Sequence, residues 1–263
     1  MSDRHSAPVP AWRVEEFGAL PSTQTLLKER LTAGDDVDGL VVRALEQPAG
    51  RGRSDKAWAS LPGGSYQSFA VRDRWGGALM RPHVTLILAL HLAEELRSAG
   101  AAVTVKWPND LYLGEGKLAG VLSEYSKGHL VVGIGLNVNN PVPTGASALR
   151  GWDVHYVNEL VLRAARAALE SMALESTAGP TAPGTAGTTL AARWALLDHL
   201  AGRSVTVKTA QAAVSGTVTG TVSGTVSGTA LGVGADGALL VETPTGPVSV
   251  RDGTVLSWTA PEQ

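Results

Sequence analysis

From residue 203 onward the chain changes character: Val, Thr and Gly dominate, and strong helix formers almost disappear. A stretch rich in β-branched side chains and turn residues can close a core only as strands, so residues 201–263 are predicted to be a small all-β module. Residues 1–200, in which helical and strand-like patterns follow one another, form the larger domain. Inside the β module, residues 214–229 repeat Val, Ser or Thr, Gly, Thr every four positions. Four is a multiple of the strand's two-residue period, so each unit lengthens a strand without turning its faces over. An over-long hairpin is expected.

In the larger part, the residues before Pro21 read as a short tail, after which Ser22 or Thr23 is placed to cap a helix that Gly34 ends. Residues 39–45 (GLVVRAL) and 65–72 read as strands, and residues 84–97 as a buried helix. Between residues 103 and 125, the turns Pro108-Asn109-Asp110 and Gly114-Glu115-Gly116 divide three short runs rich in Val, Leu and Tyr, which predicts antiparallel hairpins. Residues 131–138 (VVGIGLNV) read as a further strand, residues 157–174 as an amphipathic helix and residues 191–199 as a last one. Residues 175–189 (ESTAGPTAPGTAGTT) carry no apolar anchor to offset the entropy of ordering and read as a mobile connector.

Composition narrows the function. A chain of 263 residues, 44% apolar and 17% charged, is long enough for a real core. Its net charge of −2 and pI near 6.3 lack the basic excess that nucleic-acid or anionic-membrane binding leaves, so neither partner is expected. The absence of cysteine removes disulfides, thiolate catalysis and sulfur-ligated metals, and the six histidines form no HExxH or HxH spacing. No apolar run has the length of a membrane span or a signal h-region, and a cytoplasmic location is expected.

Three clusters carry chemistry. In the first, Gly50-Arg51-Gly52-Arg53 with Lys56 and Trp58, two guanidiniums separated by a glycine can fork onto phosphate oxygens while the glycines admit a close backbone approach. The same tetrad also suits a solvated basic turn, and no Walker sequence exists. The second, Lys106-Trp107-Pro108-Asn109-Asp110-Leu111, is followed by Lys117-Leu118-Ala119-Gly120-Val121-Leu122. Two lysines bracketing one carboxylate suit acid-anhydride chemistry, although Asn-Asp is also ordinary turn chemistry. In the third, Gly133-Ile134-Gly135-Leu136-Asn137-Val138-Asn139, valine stands where a dinucleotide fingerprint needs glycine. What remains is a strand approached closely by something flat.

In this order and spacing, Ser22-Thr23-Gln24, Gln47 to Trp58, KWPNDL, KLAGVL, GIGLNVN, Arg193-Trp194 and Gly237-Ala238-Leu239-Leu240 resemble the biotin protein ligases, which attach biotin to carboxylase carrier proteins. The resemblance implies an α+β fold: a mixed-sheet catalytic domain over residues 1–200 and a small SH3-like β-barrel over residues 201–263. It implies ATP, biotin as substrate, magnesium, and as partner the biotin carboxyl carrier domain of a biotin-dependent carboxylase. By the same resemblance Ser22, Thr23 and Gln47 meet the ureido ring, while Gly133, Leu136 and Asn137 line the biotin slot. Trp58 closes the Gly50 loop over the ligand, and Arg51 and Arg53 hold the phosphates. Lys117 touches the biotin carboxylate and the α-phosphate, and Asp110 serves magnesium and the proton of the target lysine. Asp55 stands where the family carries glycine and is expected to compete with phosphate for the arginines; Gln24 stands where asparagine is common. Only 21 residues precede Ser22, too few for a DNA-binding helix-turn-helix domain, so the bacterial type lacking that domain is expected, as monomer or homodimer. The other readings are a lipoate-type ligase or acyltransferase and a non-catalytic biotinyl-adenylate-binding protein.

Overall fold

The computed structural model describes residues 8–53, 56–75, 77–80, 83–178, 189–214 and 221–259. Among them no helix is long and apolar enough to cross a membrane. The chain divides into two compact units, one of Met1–Val103 with Asp110–Thr185, the other of Thr104–Asn109 with Ala186–Gln263.

The first unit is built on β1 (Arg13–Ala19), α1 (Thr23–Ala33), β2 (Leu40–Glu46), β3 (Ser65–Arg72), α2 (Val84–Ser98), β4 (Val103–Lys106), β5 (Asp110–Leu113), β6 (Gly116–Ser126), β7 (His129–Leu136) and α3 (Val154–Ala178). Its sheet is mixed: β1 runs parallel to β2, and β2, β3, β7, β6 and β5 follow antiparallel in that order. The seventh strand, β4, passes from the first unit into the second at Thr104.

One face of the sheet packs α1. Ser22 caps that helix, its Oγ accepting from the Thr25 N–H at 3.4 Å, and Gly34 at φ 92° ends it in the left-handed region that glycine enters without strain. Leu27 and Leu31 then meet Val37, Leu40, Val42, Ala70 and Val131, and burial of each leucine contributes about 1.5–3 kcal/mol. The opposite face is covered by α2 and α3. Gln67 of β3 donates to the Asn158 carbonyl of α3, and Thr85 of α2 shares a hydrogen bond with Ser123 of β6.

The second unit holds α4 (Leu190–Ala195) and a closed four-stranded antiparallel barrel of β8 (Ser204–Val214), β9 (Thr221–Val233), β10 (Leu239–Thr243) and β11 (Gly246–Trp258), in the order β10-β11-β8-β9. Val205, Val207, Val226, Ala230, Leu239, Val241 and Val250 fill it. Val226 and Ala230, four residues apart, are both buried, which is the even-period alternation the repeat implies. Residues 215–220 of the repeat lie outside the described residues.

Three sequence expectations are corrected. The tail before Pro21 contains a strand, β1. The connector begins later than residue 175: α3 runs on to Ala178, because extending a formed helix costs far less than starting one. The remainder of the connector, residues 179–188, lies outside the described residues. The last helix stops at Ala195, because the Leu197 carbonyl and His199 N–H are taken by Val105 at 2.7 and 2.9 Å.

Candidate active site

At the start of α1 the buried Thr23 donates twice to Gln47 Oε1, from its backbone N–H at 2.8 Å and from Oγ1 at 3.1 Å. A hydroxyl has one proton to give, so the 2.7 Å contact between Thr23 and Ser68 runs from Ser68 Oγ to Thr23 Oγ1. Gln47 Nε2 passes the chain to Ser60 Oγ at 2.8 Å, and Ser60 donates to the Trp58 carbonyl at 3.3 Å. Strand β3, the end of β2 and the loop after it are thereby locked into one polar array of fixed direction.

Next to this array the sheet loses its side chains. Gly135 of β7 pairs with Gly120 of β6, and Gly133 pairs with Leu122 and with Ser68. Cross-strand partners share a face, so the three glycines leave a bare strip on the α1 side. A methyl group on Gly135 would stand 2.5 Å from Trp58 Nε1, one on Gly120 3.3 Å from Trp58 Cζ3, and one on Gly133 2.7 Å from Gln24 Oε1. The flat group that approaches Gly120 and Gly135 is the chain's own Trp58, and its buried Nε1 has no hydrogen-bond partner among the described residues.

The charged end lies on the β5–β6 hairpin. Lys117 Nζ meets Asp110 Oδ1 at 2.7 Å and stands 5.3 Å from the centre of the Trp58 ring. The Gly50 loop returns on itself: Gly52 N–H donates to the Lys56 carbonyl at 2.7 Å, and Trp58 N–H donates to the Gly50 carbonyl at 2.9 Å. Gly50 is required here, since a methyl group would meet the Trp58 carbonyl oxygen at 2.5 Å. Arg51 is exposed and Arg53 half-buried. Asp55 lies outside the described residues.

The structure thus gathers Thr23, Gln47, Gly50, Trp58, Asp110, Lys117 and Gly133. It deploys others differently. Ser22 Oγ serves as the helix cap. Leu136 alternates with Gly135 and pairs with Ser65 and Ala119, so its side chain is buried on the opposite face. Asn137 spends its amide on the fold: Nδ2 donates to the Ser147 and Lys117 carbonyls at 3.1 and 3.5 Å, and Oδ1 accepts from Asn140 at 3.0 Å. It therefore steadies the strand that carries Lys117. Asn137→Ala is expected to lower stability by about 2–3 kcal/mol, because buried partners lose their bonds, and a thermal melt would reveal it. In the second unit Lys106 Nζ stands 4.7 Å from the centre of the Trp258 ring.

Sequence reasoning missed Ser60, Ser68, Lys28 and Glu124. Glu124 shares its face with Leu122 and Gly120, and binds Lys28 Nζ at 2.8 Å and Gln24 Nε2 at 3.0 Å. Burial alone would raise its carboxyl, but the hydrogen bonds from Lys28 and Gln24, with the charges of Lys28 and Arg51, outweigh burial and hold it below the ordinary 4.5. A carboxyl depressed by folding contributes stability at pH values above its unfolded pKa and loses it as pH falls through the folded one. Melting curves between about pH 3 and 6 should therefore fall more steeply for the native chain than for Glu124→Gln. Parallel curves would contradict this.

A model of the Biotin/lipoate A/B protein ligase family matches residues 17–139, which contain Thr23, Gln47, Gly50, Trp58, Asp110, Lys117 and Gly133. Over that stretch, a little under half of its length, the chain is similar to this family. Over 256 residues the chain is 29% identical to the bifunctional ligase/repressor BirA of Escherichia coli, covering 91% of this chain and 70% of that protein. It is 35% identical over 135 residues to the biotin–[acetyl-CoA-carboxylase] ligase of Mycobacterium tuberculosis, where the match spans half of that relative. Among solved structures, biotin protein ligase from Aquifex aeolicus in complex with biotin and ATP superimposes with a TM-score of 0.74 at 27% identity, covering 94% of this chain and 98% of that chain. The described residues of the chain contain no group of three or more histidine, aspartate or glutamate side chains able to hold a metal. Asp110 is a single carboxylate paired with Lys117.

Proposed function

We propose that this chain activates biotin with ATP to give biotinyl-5'-adenylate and pyrophosphate, then transfers the biotinyl group to a lysine of a biotin carboxyl carrier domain. The observation that carries the reading is the bare glycine strip between two unlike ends, a directional hydrogen-bond array at Thr23, Gln47 and Ser68 and a lysine–aspartate pair at Lys117 and Asp110. Biotin has matching ends: a ureido ring needing fixed donors and acceptors, and a carboxylate needing a cation. Lipoate, whose ring is an apolar dithiolane, leaves the polar array unused and buried, which is costly.

A carboxylate is unreactive towards amines, so activation must come first. The biotin carboxylate oxygen attacks the α-phosphorus, and the bond to pyrophosphate breaks. Lys117 neutralises charge gathering on carboxylate and phosphate, while Arg51 and Arg53 hold the phosphates, Gly50 and Gly52 allowing close approach. Magnesium on the nucleotide, met by Asp110, would further neutralise its phosphates. In the second step the carrier lysine attacks the acyl carbon, a C–N bond forms, AMP leaves, and Asp110 receives the amine's proton. Trp58 shields the adenylate from water. In this reading residues 1–200 do the chemistry, residues 201–263 form the accessory barrel, and the enzyme works in the cytoplasm.

Biotin-dependent exchange of pyrophosphate into ATP by the purified protein tests the proposal. Exchange with biotin and not with lipoate is the expected result; exchange with lipoate alone points to the lipoate ligase, and binding without exchange to a non-catalytic adenylate-binding protein. The loop of residues 50–56 should also resist proteolytic nicking better when biotin and ATP are both present, since phosphate relieves the mutual repulsion of its cations. Equal cleavage with and without them would count against a phosphate role for this loop.

A further inference from the structure

Gln24 is 3% exposed, and its amide is oriented by need rather than by choice. Nε2 lies 3.2 Å from the Val131 carbonyl oxygen and 3.0 Å from Glu124 Oε2, both acceptors, so the NH2 end must face them. The carbonyl oxygen is thereby turned to the other side, where it overhangs Gly133 at 2.7 Å from the position a Cβ would take. There it is buried and accepts no hydrogen bond from the protein. An unpaired acceptor of this kind is costly to keep, and it is held in place by a second tier. Glu124 gives one oxygen to Gln24 and the other to Lys28 Nζ at 2.8 Å, which stops the carboxylate from rotating away.

We propose that Glu124 and Lys28 are positioning residues for ligand recognition, holding the Gln24 carbonyl over the Gly133 end of the strip as an acceptor for a ureido N–H of biotin. The inference rests on the biotin reading above and deepens it. It follows that asparagine at this position, one methylene shorter, would not reach the same point from α1. The charged state that the pair needs is supported by the depressed Glu124 carboxyl.

The test measures binding of biotin, and of the two biotins methylated at one or the other ureido nitrogen, by calorimetry on the full chain. The variants are Gln24→Met, which keeps shape and loses the acceptor, Glu124→Gln, which lets its own NH2 face the Gln24 amide and turn it over, and Lys28→Met. Loss of one neutral hydrogen bond is expected to weaken biotin about tenfold in Gln24→Met and Glu124→Gln, and less in Lys28→Met. One methylated biotin, which has already lost the N–H concerned, should bind the native chain and these variants equally. KM for biotin should rise in step while kcat and KM for ATP hold. Unchanged biotin affinity in Gln24→Met, or equal losses for biotin and both methylated forms, would overturn the positioning role while leaving the biotin reading intact. Failure of the native chain to bind biotin at all would overturn both.

Discussion

Lys117→Ala is expected to abolish most biotin-dependent pyrophosphate exchange while the fold persists. The ammonium is the cation on Asp110, at 2.7 Å, and it lies over the Trp58 ring at the charged end of the glycine strip. A preorganised positive group aimed at charge that grows in the transition state is worth about 3–4 kcal/mol, or 10²–10³ in rate. The same lysine contributes far less to stability. Its side chain is 34% exposed, and a pair open to solvent on one side contributes about 1 kcal/mol or less. The two effects can therefore be separated: exchange should fall by orders of magnitude, the melting temperature by a few degrees at most, about 2–4 °C for a chain of this size. Lys117→Arg should recover only part of the rate, because a planar fork cannot put its charge where a compact ammonium stood. Exchange at the native rate in Lys117→Ala would remove the lysine from the chemistry and with it the main support for an adenylate-forming site.

What the sequence disclosed, and what it withheld, divides along the range of the interactions. β3 and α2 follow from local pattern, β3 as a short run carrying the strand formers Tyr66, Phe69 and Val71, and α2 as a long apolar run that needs no partner to announce itself. The strand β1, RVEEFGA, is invisible for the opposite reason: it is charged, five of its seven residues are exposed and none is buried, and it becomes a strand by pairing in parallel with β2 across a helix. The charged end of the site was legible because Asp110 and Lys117 sit on one two-stranded hairpin whose turn is written as Gly114-Glu115-Gly116. The polar end was legible only as isolated residues. Glu124 and Lys28 stand 96 positions apart and meet through the register of β6 with β7 and the seating of α1 on that face. Of the glycines that signalled close approach by a flat group, Gly135 meets one, whereas Gly133 faces the Gln24 amide and Ser68. That the group is Trp58 follows from the path of the Gly50 loop, which carries the indole onto the strip.

Gly135→Ala is expected to weaken biotin binding more than any other single-atom change in the sheet. Gly135 is not among the glycines at positive φ, so alanine suits its backbone and the effect must come from space. The added methyl would lie 2.5 Å from Trp58 Nε1 and 2.6 Å from Cε2, closer than such atoms pack, so the indole has to lift away from the sheet. Overpacking by one methyl costs about 1–3 kcal/mol, which corresponds to roughly 5- to 150-fold in Kd when the ligand must share the same space. Gly18→Ala is the matched control: it lies on β1 with nothing within 4 Å of the new methyl, and should change neither stability nor binding. A cycle with Trp58→Ala then separates crowding of the indole from crowding of the ligand. If the methyl presses only on Trp58, its effect on stability and on biotin affinity both vanish once the indole is gone. If biotin itself lies on Gly135, the stability effect vanishes and the affinity effect stays. The second pattern is the expected one, measured by melting temperature and calorimetry on the four proteins; native biotin affinity in Gly135→Ala would show that the bare strip is not where the ligand rests.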